Sequence, residues 1–578
     1  MSPTFDEPVH LYAGYACLKA GTYTVNAPWH PPFGQMWSAA PLIPFDLVIP
    51  LRTKAGTPVP LSPPQQYMLG DAFLYKNHLD ADTMITLART MTLCLSLFLG
   101  VFIYQWSKIL FEDTSAILSL FLWAFSPTLL ANATLVTTDT SFAVFFFCFF
   151  FCWYRFEKEW TERARRICWG ILASIFLGLA FGSKYLAISI LPIGLLLAGH
   201  GVLQHEKRRY CLSLALIASG AFIVLALVFR FGELPIFWRG LTTIARQTQE
   251  RRATFLLGQY SSTGWWYYFP FLFLTKTPLP QLVFLFWGVF NVLRKKNLEA
   301  FLWIPPFLYL LMACFSKVQI GQRHILAIYP FLFVLAGGAV QNWRQWTKGT
   351  IGVFSLLLAW QIWTTCSCYP DLLAYFNELT GGPDKAYLVA SDSNVDWGQD
   401  LKGLGEYIKQ SGNPEVILSY TGTAEPQAYG VTYQNLLSRD ISSDHINSQN
   451  PQKEILAVSV TNLQGVSYPD HALLDWCRSL RPVARIGYSI FVYDVTHNAL
   501  AHRHLGQLYM RSREMQKAIR ECSRVVLLQP QDPSAYYNLG FVNEFFGDKK
   551  QARKAYLKAL KLGPEARIIK DALKRLNS

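Results

Sequence analysis

The sequence has 578 residues, of which 52% are hydrophobic and only 16% are charged, and its formal net charge is +14. A soluble domain usually carries about 25% charged residues, and the apolar residues here lie in long runs, which argues against a soluble protein. The basic excess does not require a nucleic-acid partner, because cytoplasmic loops and contacts with lipid phosphates give membrane proteins the same composition.

Ten apolar segments are candidates for transmembrane helices, since a bilayer core needs about 20 mostly apolar helical residues. The predicted spans are 84–108, 114–131, 139–154, 167–182, 184–200, 211–230, 267–293, 300–315, 323–341 and 350–366. Gly182-Ser183-Lys184 predicts a tight turn between two helices; a single bent helix is the alternative, and it would reverse every later segment. The predicted fold class is a multi-pass α-helical membrane protein.

Lysine and arginine in short loops predict the orientation of the spans, because these residues are enriched in cytoplasmic loops. In the ten-span arrangement, basic loops on one side lie at 155–166, 207–209, 294–296 and 344–348. Residues 1–83 and 367–578 then lie outside. We therefore predict a protein of the plasma (inner) membrane with an extracytoplasmic C-terminal region.

One predicted outer loop breaks this pattern. Residues 230–264 carry five arginines against two glutamates, although they fall on the non-cytoplasmic side. Binding of an anion would explain this basic excess, and a solvated amphipathic helix is the alternative.

The end of the chain repeats with a period of 34 residues, which separates Gly506 from Gly540 and Pro530 from Pro564. This period and its helix–turn–helix pattern are typical of tetratricopeptide repeats. Two repeats are fewer than such arrays usually need, so we expect them to pack on the preceding domain. They would also offer a surface to a protein partner.

Residues 367–500 predict a small α/β domain between the last span and the repeats. The strand candidates are 386–390, 415–420, 455–460 and 489–495, and the helix candidates are 400–410 and 471–480. Strands that alternate with helices favour a mixed or parallel sheet. The predicted domains are a membrane domain at 1–366, an extracytoplasmic α/β domain at 367–500 and helical repeats at 501–578.

The first candidate site residues are Asp6 and Glu7, two adjacent carboxylates beside the predicted outer membrane surface. Paired acids near a partly closed apolar site can provide a general base, although acids at a helix N-terminus also interact favourably with the helix dipole. His30 follows in a Pro-Trp-His-Pro-Pro run, and Asp139 lies in a second outer loop. Asp139 has the alternative of being a plain N-cap.

The order of motifs along the chain resembles glycosyltransferase family 39, which includes protein O-mannosyltransferases and lipid A aminoarabinose transferases. The matching features are Asp6-Glu7, His30-Pro31-Pro32, the outer-loop Asp139, Lys184 in Gly-Ser-Lys-Tyr, Lys276 in Lys-Thr-Pro, and Arg323-His324. The resemblance covers roughly residues 1–366 and implies a GT-C-like membrane fold. The segments 375–378 and 392–400 resemble the tails of uncharacterised bacterial members.

The resemblance implies transfer of a sugar from a polyprenyl-phosphate carrier to a lipid, glycan or protein acceptor on the non-cytoplasmic face. It assigns the acceptor base to Asp6, with Glu7 beside it, and direct displacement by one base would invert the anomeric centre. Members of the family carry a transmembrane helix before the Asp-Glu pair, whereas five residues precede Asp6 here.

Four cationic or imidazole side chains are expected to bind the donor near the outer membrane face. They are Lys184, Lys276, Arg323 and His324, with His30 and Asp139 as further substrate-binding candidates. Ionisable groups at that depth are costly and usually functional, and the charge on a departing phosphate needs cationic support. Snorkelling of the long side chains to the interface is the alternative.

No cofactor is required by these residues, and a divalent metal is left open. The run from Asp392 to Asp396 resembles the start of a calcium loop, but the glycine, Gly398, comes one position late and Gly403 replaces the bidentate glutamate. No metal ligand is therefore predicted, and caps on the helix at 400–410 are the preferred interpretation.

Two other function classes compete with glycosyl transfer. A multi-pass transporter or flippase of a lipid-linked substrate would place paired charges at mid-membrane and often show internal symmetry, whereas the acids here gather in outer loops. A membrane-anchored repeat scaffold would leave the outer acids and cations without a role.

Overall fold

The computed structural model describes residues 1–26, 28–50, 62–247, 252–295, 298–438, 441 and 444–577. By packing, the chain forms two compact units, Pro3–Trp397 and Gly398–Ser578, the latter together with Met1–Ser2. This division comes later than the predicted boundary at 366, because the segment after the last span packs on the membrane helices. Asn377 Nδ2, for example, donates to the carbonyls of Leu274 and Thr277 at 2.7 and 2.8 Å.

The first unit is mainly helical. Its elements are α1 Glu7–Ala20, α2 Phe33–Ala39, α3 Pro63–Tyr75, α4 Ala81–Phe111, α5 Asp113–Ala124, α6 Pro127–Ala133, α7 Thr138–Lys158, α8 Arg163–Ser183, α9 Ile190–Gln204, α10 Lys207–Val228, α11 Leu234–Gln247, β1 Thr254–Leu256, β2 Gln259–Ser261, α12 Tyr268–Lys276, α13 Leu279–Arg294, α14 Ala300–Cys314, α15 Tyr329–Gly337, α16 Lys348–Cys368 and α17 Ala386–Val389.

Seven helices within the described residues are long and apolar enough to cross a membrane, or nine if each of two bent pairs forms one span. The pairs α5–α6 and α12–α13 bend by 64° and 108°. Proline causes both breaks, since Pro127 begins α6 and Pro278 precedes α13. A further apolar helix, α14, is shorter. The multi-pass helical fold class is confirmed, and the number of ten spans stays a prediction.

Helix α7 forms the core of the first unit, and 94% of its most apolar 18-residue stretch is buried. It packs against α4, α8 and a 3₁₀ segment at Gln322–Ile328. Helix α8 ends at Ser183, and Lys184 has extended backbone, so the chain divides there into two helices as predicted. The start of α7 thereby lies beside the end of α8, which positions the candidate site.

The basic loop 230–264 contains the amphipathic helix α11 and the antiparallel hairpin β1–β2. Ile236 and Phe237 on one face of α11 are buried, whereas Arg239 and Arg246 are exposed. The loop therefore contains an amphipathic helix with exposed arginines, and anion binding by this loop stays a prediction. Arg251 lies outside the described residues.

The second unit holds a five-stranded sheet and the repeats. Its elements are α18 Leu401–Gln410, β3 Glu415–Ser419, β4 Tyr433–Asn435, β5 Glu454–Ser459, α19 Val460–Leu463, α20 Asp475–Arg478, β6 Ala484–Ile486, β7 Ile490–Asp494, α21 Ala499–Arg511, α22 Met515–Leu528, α23 Pro533–Phe545, α24 Lys549–Leu562 and α25 Arg567–Asn577. The strand order is β4-β3-β5-β7-β6. Strand β3 pairs in parallel with β4 and β5, whereas β7 pairs antiparallel with β5 and β6.

This mixed sheet contains three of the four predicted strands, as β3, β5 and β7. The strand predicted at 386–390 is wrong, because that run forms α17 in the first unit. Ala386 and Val389 are its buried residues, one helical turn apart, and a short apolar run does not distinguish a strand from a buried helical turn.

Helix pairs α21–α22 and α23–α24 form the predicted repeats. At Gly540, α23 approaches α24 closely, since a Cβ there would lie 2.6 Å from the Tyr556 ring. The small residue at the repeated position is thus a packing requirement.

A buried charge network joins the first repeat to the sheet. Arg520 of α22 bonds both Glu454 of β5 and Glu521 of α22 at 2.7 Å. Glu521 also contacts His502 Nδ1 of α21 at 2.6 Å and accepts from Gln434 of β4 at 2.8 Å. Each of these charged groups has a partner inside the unit, so the repeats are anchored on the sheet as expected.

We predict that Arg520→Met strongly destabilises this unit. Removing the guanidinium leaves two buried carboxylates without their cation, which typically costs about 3–5 kcal/mol. Limited proteolysis of the full-length protein during thermal unfolding measures the effect. Arg511→Met is the matched control, because Arg511 is 66% exposed and lies 3.7 Å from Asp470. Equal stability of the two variants would contradict the assignment.

Candidate active site

Four structural elements bring the candidate residues together in the first unit. Asp6 is the N-cap residue of α1, and Asp139 lies in the first turn of α7. Lys184 follows α8 directly, and Arg323 and His324 lie in the 3₁₀ segment at Gln322–Ile328. Because α7 packs on both α8 and this 3₁₀ segment, the charged ends of distant parts of the chain meet in one cluster.

Arg323 lies at the centre of this cluster. Its Nη1 is 3.1 Å from Asp6 Oδ2 and 3.7 Å from Asp139 Oδ2. The centre of its guanidinium lies 3.9 Å from the centroid of the Trp397 ring. Within the described part of the chain, the buried Nε has no hydrogen-bond partner. One guanidinium therefore bridges two carboxylates and retains an unused donor.

Asp139 forms a second ion pair, with Lys184, through its other oxygen. Thr137, rather than Asp139, is the N-cap residue of α7, so the plain N-cap alternative does not describe Asp139. The carboxylate is also favoured by the dipole at the start of α7. Asp139 thus holds the two cations Lys184 and Arg323 close together.

Asp6 is directed at side chains and makes no cap bond to the backbone of α1. Its Oδ1 accepts from the Tyr67 hydroxyl at 3.2 Å, and its Oδ2 accepts from Arg323. Burial and the neighbouring Asp6 charge hold the pKa of Tyr67 well above its ordinary value, so Tyr67 stays a proton donor. The Asp6 side chain retains 17% exposure, which leaves the carboxylate accessible.

Glu7, by contrast, is fully buried and has a different set of partners. Arg89 of α4 donates to both oxygens, at 2.9 and 2.6 Å. The backbone N–H groups of Thr4 and Val136 donate at 2.7 and 2.9 Å. Burial alone would raise the pKa of Glu7, but the Arg89 charge and these hydrogen bonds hold it below the ordinary value. The pair Asp6-Glu7 therefore divides into one accessible carboxylate and one enclosed carboxylate.

We predict that Arg89→Leu destabilises the membrane unit by about 3–5 kcal/mol, because it leaves Glu7 as an uncompensated buried charge. Thermal unfolding of detergent-solubilised protein measures this loss. Lys108→Leu is the control, since Lys108 and Asp113 form an exposed pair, and exposed ion pairs contribute little to stability.

The same pair predicts a pH dependence of stability. The folded-state pKa of Glu7 is lowered from 4.5. The contribution of the Glu7–Arg89 pair to the free energy of unfolding is therefore complete above pH 4.5 and is lost as the pH falls through the folded-state pKa. Glu7→Gln should lose less stability than the wild type when the pH is lowered below 4.5 in the same thermal unfolding experiment. An equal loss of stability in Glu7→Gln and the wild type would contradict the assignment.

Two histidines line the cluster. The rings of His10 and His30 meet edge to face with centroids 4.9 Å apart. Their Nδ1 atoms lie 3.2 Å from Asn26 Nδ2 and Thr138 Oγ1, respectively. Burial lowers the pKa of both, and the positive charge of Lys184 lowers that of His30 further. Both imidazoles are therefore neutral hydrogen-bonding groups at neutral pH.

His324 is oriented through its backbone, whose carbonyl accepts from the Tyr309 hydroxyl at 2.8 Å. Its ring lies near Phe269, with centroids 6.4 Å apart. His324 thus adjoins Arg323 on a fixed segment.

Lys276 has a different environment from the other candidate cations. Its ammonium donates to the carbonyls of Leu373 and Asn394 at 2.9 and 2.6 Å and lies 4.5 Å from the Phe376 ring centroid. In the described ranges, no ion pair joins Lys276 to a carboxylate. Lys276 therefore fixes the chain after the last span onto the break between α12 and α13.

Two residues that were not predicted as site residues complete the surroundings of Arg323. The Trp397 ring lies against the guanidinium, and the Asp392 carboxylate interacts electrostatically with Arg323 and Asp6. Burial raises the pKa of Asp392, and the Arg323 charge opposes that rise. Arg89, the partner of Glu7, could have been predicted as a site residue from the sequence, because an arginine inside a predicted span is costly and requires a charged partner.

Two parts of the chain match known protein families. Residues 82–231 match the family model described as dolichyl-phosphate-mannose-protein mannosyltransferase, and residues 533–565 match the tetratricopeptide repeat. No curated protein sequence matches the chain.

Two crystal structures of ArnT from Cupriavidus metallidurans are similar. The structure bound to undecaprenyl phosphate has 13% identity and a TM-score of 0.48, and covers 85% of this chain and 94% of its own. The apo structure has 15% identity and a TM-score of 0.44, with 86% and 94% coverage. The family-model match agrees with the resemblance predicted from the motifs: the chain is a multi-pass helical membrane protein in which residues 82–231 are similar to the protein mannosyltransferase family and residues 533–565 are similar to the tetratricopeptide repeat.

Proposed function

We propose that this protein transfers a sugar from a polyprenyl-phosphate carrier to an acceptor, with the cluster around Arg323 as its active site. The observation that supports the proposal is the Arg323 guanidinium, which is shared by Asp6 and Asp139 and keeps a buried donor unused. A cation held between two carboxylates at the end of apolar helices is suited to a lipid-linked phosphate. A guanidinium fork matches two phosphate oxygens at once.

Donor binding would rearrange the contacts of Arg323. The carrier phosphate competes with Asp6 and Asp139 for the guanidinium, and the unused Nε provides a second point of attachment. Asp6 Oδ2 is then released from Arg323, while the Tyr67 hydroxyl keeps Asp6 Oδ1 in place. In this way phosphate binding would free the oxygen that accepts a proton from the acceptor.

The chemical step is a single displacement at the anomeric carbon. The acceptor hydroxyl or amine attacks this carbon as Asp6 removes its proton, and the bond between the carbon and the phosphate oxygen breaks. The electron pair leaves with the polyprenyl phosphate, whose developing charge is stabilised by Arg323. One displacement with one base inverts the anomeric configuration.

The remaining candidates have supporting roles in this scheme. Lys184 and Asp139 keep positive charge next to Arg323, and the imidazoles of His10, His30 and His324 can hydrogen-bond sugar hydroxyls. Glu7 is proposed as an anchor for α1, because Arg89, Thr4 and Val136 surround its carboxylate. Lys276 is likewise proposed as an anchor, because its bonds go to backbone carbonyls.

The proposal places the cluster and the second unit on the non-cytoplasmic side of the plasma membrane. The basic loops at 155–166 and 207–209 support this orientation. A single cysteine at exposed Asp46, in a cysteine-free background, should react with an impermeant maleimide in intact cells, and so should one at Glu565. A cysteine at exposed Arg208 should react only after lysis. The opposite pattern would contradict the proposed active side.

Purified protein and a radiolabelled polyprenyl-phosphate sugar test the function itself. A glycosyltransferase binds the donor and, with acceptor present, releases unglycosylated polyprenyl phosphate. A transporter or flippase would bind the donor and leave it intact, and a repeat scaffold would not bind it.

A further inference from the structure

The segment 391–397 follows the last span and the helix α17, and it docks on the loop that carries Arg323. Ser393 Oγ donates to the Ile320 carbonyl at 2.8 Å. Asn394 Oδ1 accepts from the Gln322 N–H at 3.0 Å. These two bonds hold the backbone on the N-terminal side of Arg323.

The approach of the two segments is close. A Cβ on Gly321 would lie 2.1 Å from Ser393 Oγ, so a larger residue would displace the serine hydroxyl from the Ile320 carbonyl. Asn394 is fully buried, and its Nδ2 donates to the Tyr268 hydroxyl and the Ser391 carbonyl at 3.1 and 3.0 Å. Lys276 bonds the Asn394 carbonyl. The docked segment is therefore fixed from both sides and is not a passing surface loop.

Trp397 ends this segment and contacts both Arg323 and the residue that precedes Asp6. Its indole covers the Arg323 guanidinium at 3.9 Å, and its carbonyl accepts from the Phe5 N–H at 2.8 Å, one residue before Asp6. The side chain is 4% exposed. An aromatic face attracts a cation most strongly where water is excluded. Trp397 thus contacts Arg323 through its ring and the residue before Asp6 through its carbonyl.

We infer that segment 391–397 is part of the active site and that Trp397 is a positioning residue, which holds the Arg323 guanidinium where it contacts Asp6 and where it would contact the carrier phosphate. This inference deepens the proposed function, on which its catalytic meaning rests. Trp397 acts through Arg323 and does not touch the reacting atoms. Removing the aromatic face should therefore impair phosphate binding and turnover while Asp6 is still present.

The test compares Trp397→Leu with Trp397→Phe, which keeps an aromatic face. Trp397→Leu should lose about 10- to 30-fold in kcat/KM for a short-chain polyprenyl-phosphate sugar, mostly through a higher KM. Trp397→Phe should recover most of that loss. Trp363→Leu is the matched control, because Trp363 is 71% exposed, and it should behave like the wild type.

A second readout does not depend on catalysis. Full-length protein is treated with phenylglyoxal, and labelling at Arg323 is followed by mass spectrometry. Arg323 should label several-fold faster in Trp397→Leu than in the wild type or Trp397→Phe, while the buried Arg520 labels at one rate in all of them. Faster labelling of Arg520 as well would show general unfolding of Trp397→Leu. The rate of Arg323 labelling in Trp397→Phe would then decide, since a wild-type rate supports the inference and a faster rate contradicts it.

Two results would overturn the inference. One is wild-type KM and Arg323 labelling in Trp397→Leu, and the other is a Trp397→Phe protein that is folded yet as impaired as Trp397→Leu. Failure of the proposed function has a different signature, which is a wild-type protein that binds no polyprenyl phosphate. The rates of Arg323 labelling would then support or overturn the positioning role by themselves.

Discussion

Asp6→Asn is expected to lower the rate of sugar transfer by about 10²- to 10⁴-fold, the usual contribution of a positioned general base. Asparagine preserves the size of the side chain and can still accept from the Tyr67 hydroxyl, but it cannot take the proton of the acceptor. Donor binding should be kept or become tighter, because Arg323 and Lys184 are retained and the phosphate no longer competes with a charged Asp6 for the guanidinium. Steady-state transfer with a short-chain polyprenyl-phosphate sugar measures the rate.

Asp46→Asn provides the control for this variant. Asp46 is 87% exposed and pairs with Lys19 at 3.1 Å, outside the cluster. Full activity in well-folded Asp6→Asn protein would remove Asp6 from the mechanism. It would direct attention to Asp392, a partly buried carboxylate that also interacts electrostatically with Arg323 and Asp6.

Arg323→Ala should cost about 2.7–4 kcal/mol of transition-state stabilisation, by analogy with the loss of a single oxyanion donor. Part of the loss should appear as weaker donor binding, because the phosphate is already anionic in the ground state. Arg323→Lys should be less damaging, since it keeps the charge but loses the fork that reaches two oxygens. The ratio of kcat/KM values between the variants measures both effects.

Arg294→Ala is the matched control, as Arg294 is an exposed residue at the C-terminal end of α13. Unchanged kcat/KM in correctly inserted Arg323→Ala protein would rule out Arg323 as the phosphate ligand. The exposed arginines of the basic loop, Arg246 and Arg252, would then be the next candidates.

The sequence predicted the membrane helices and the repeats well because both depend on local patterns. Long apolar runs required helices, and the 34-residue period fixed the positions of Gly506 and Gly540. The run 386–390 failed because five apolar residues fit a short helix as well as a strand.

The site residues could be proposed from the order of motifs, but their division of labour could not. Asp6 and Glu7 are neighbours in sequence, yet one points to Tyr67 and Arg323 and the other to Arg89, which is 82 residues away. Lys276 and Arg323 looked equivalent as outer cations, and only packing distinguishes the carbonyl contacts of Lys276 from the carboxylate contacts of Arg323.

Trp397 shows the same limit in another form. Its position in the segment after the last span gave no sign of a contact with Arg323, because that contact requires the chain to return to the membrane unit. The docking depends on side-chain bonds between residues about 70 positions apart, such as Ser393 to Ile320 and Asn394 to Gln322. No local pattern in the sequence encodes such pairs.

Equilibrium binding of radiolabelled polyprenyl phosphate to wild-type, Arg323→Ala and Asp6→Asn proteins in lipid nanodiscs tests the central claim most directly. The claim assigns phosphate binding to Arg323 and proton transfer to Asp6, so it predicts saturable binding by the wild type and by Asp6→Asn and at least tenfold weaker binding by Arg323→Ala. Equal affinity of all three proteins, or binding lost in Asp6→Asn and kept in Arg323→Ala, would contradict it.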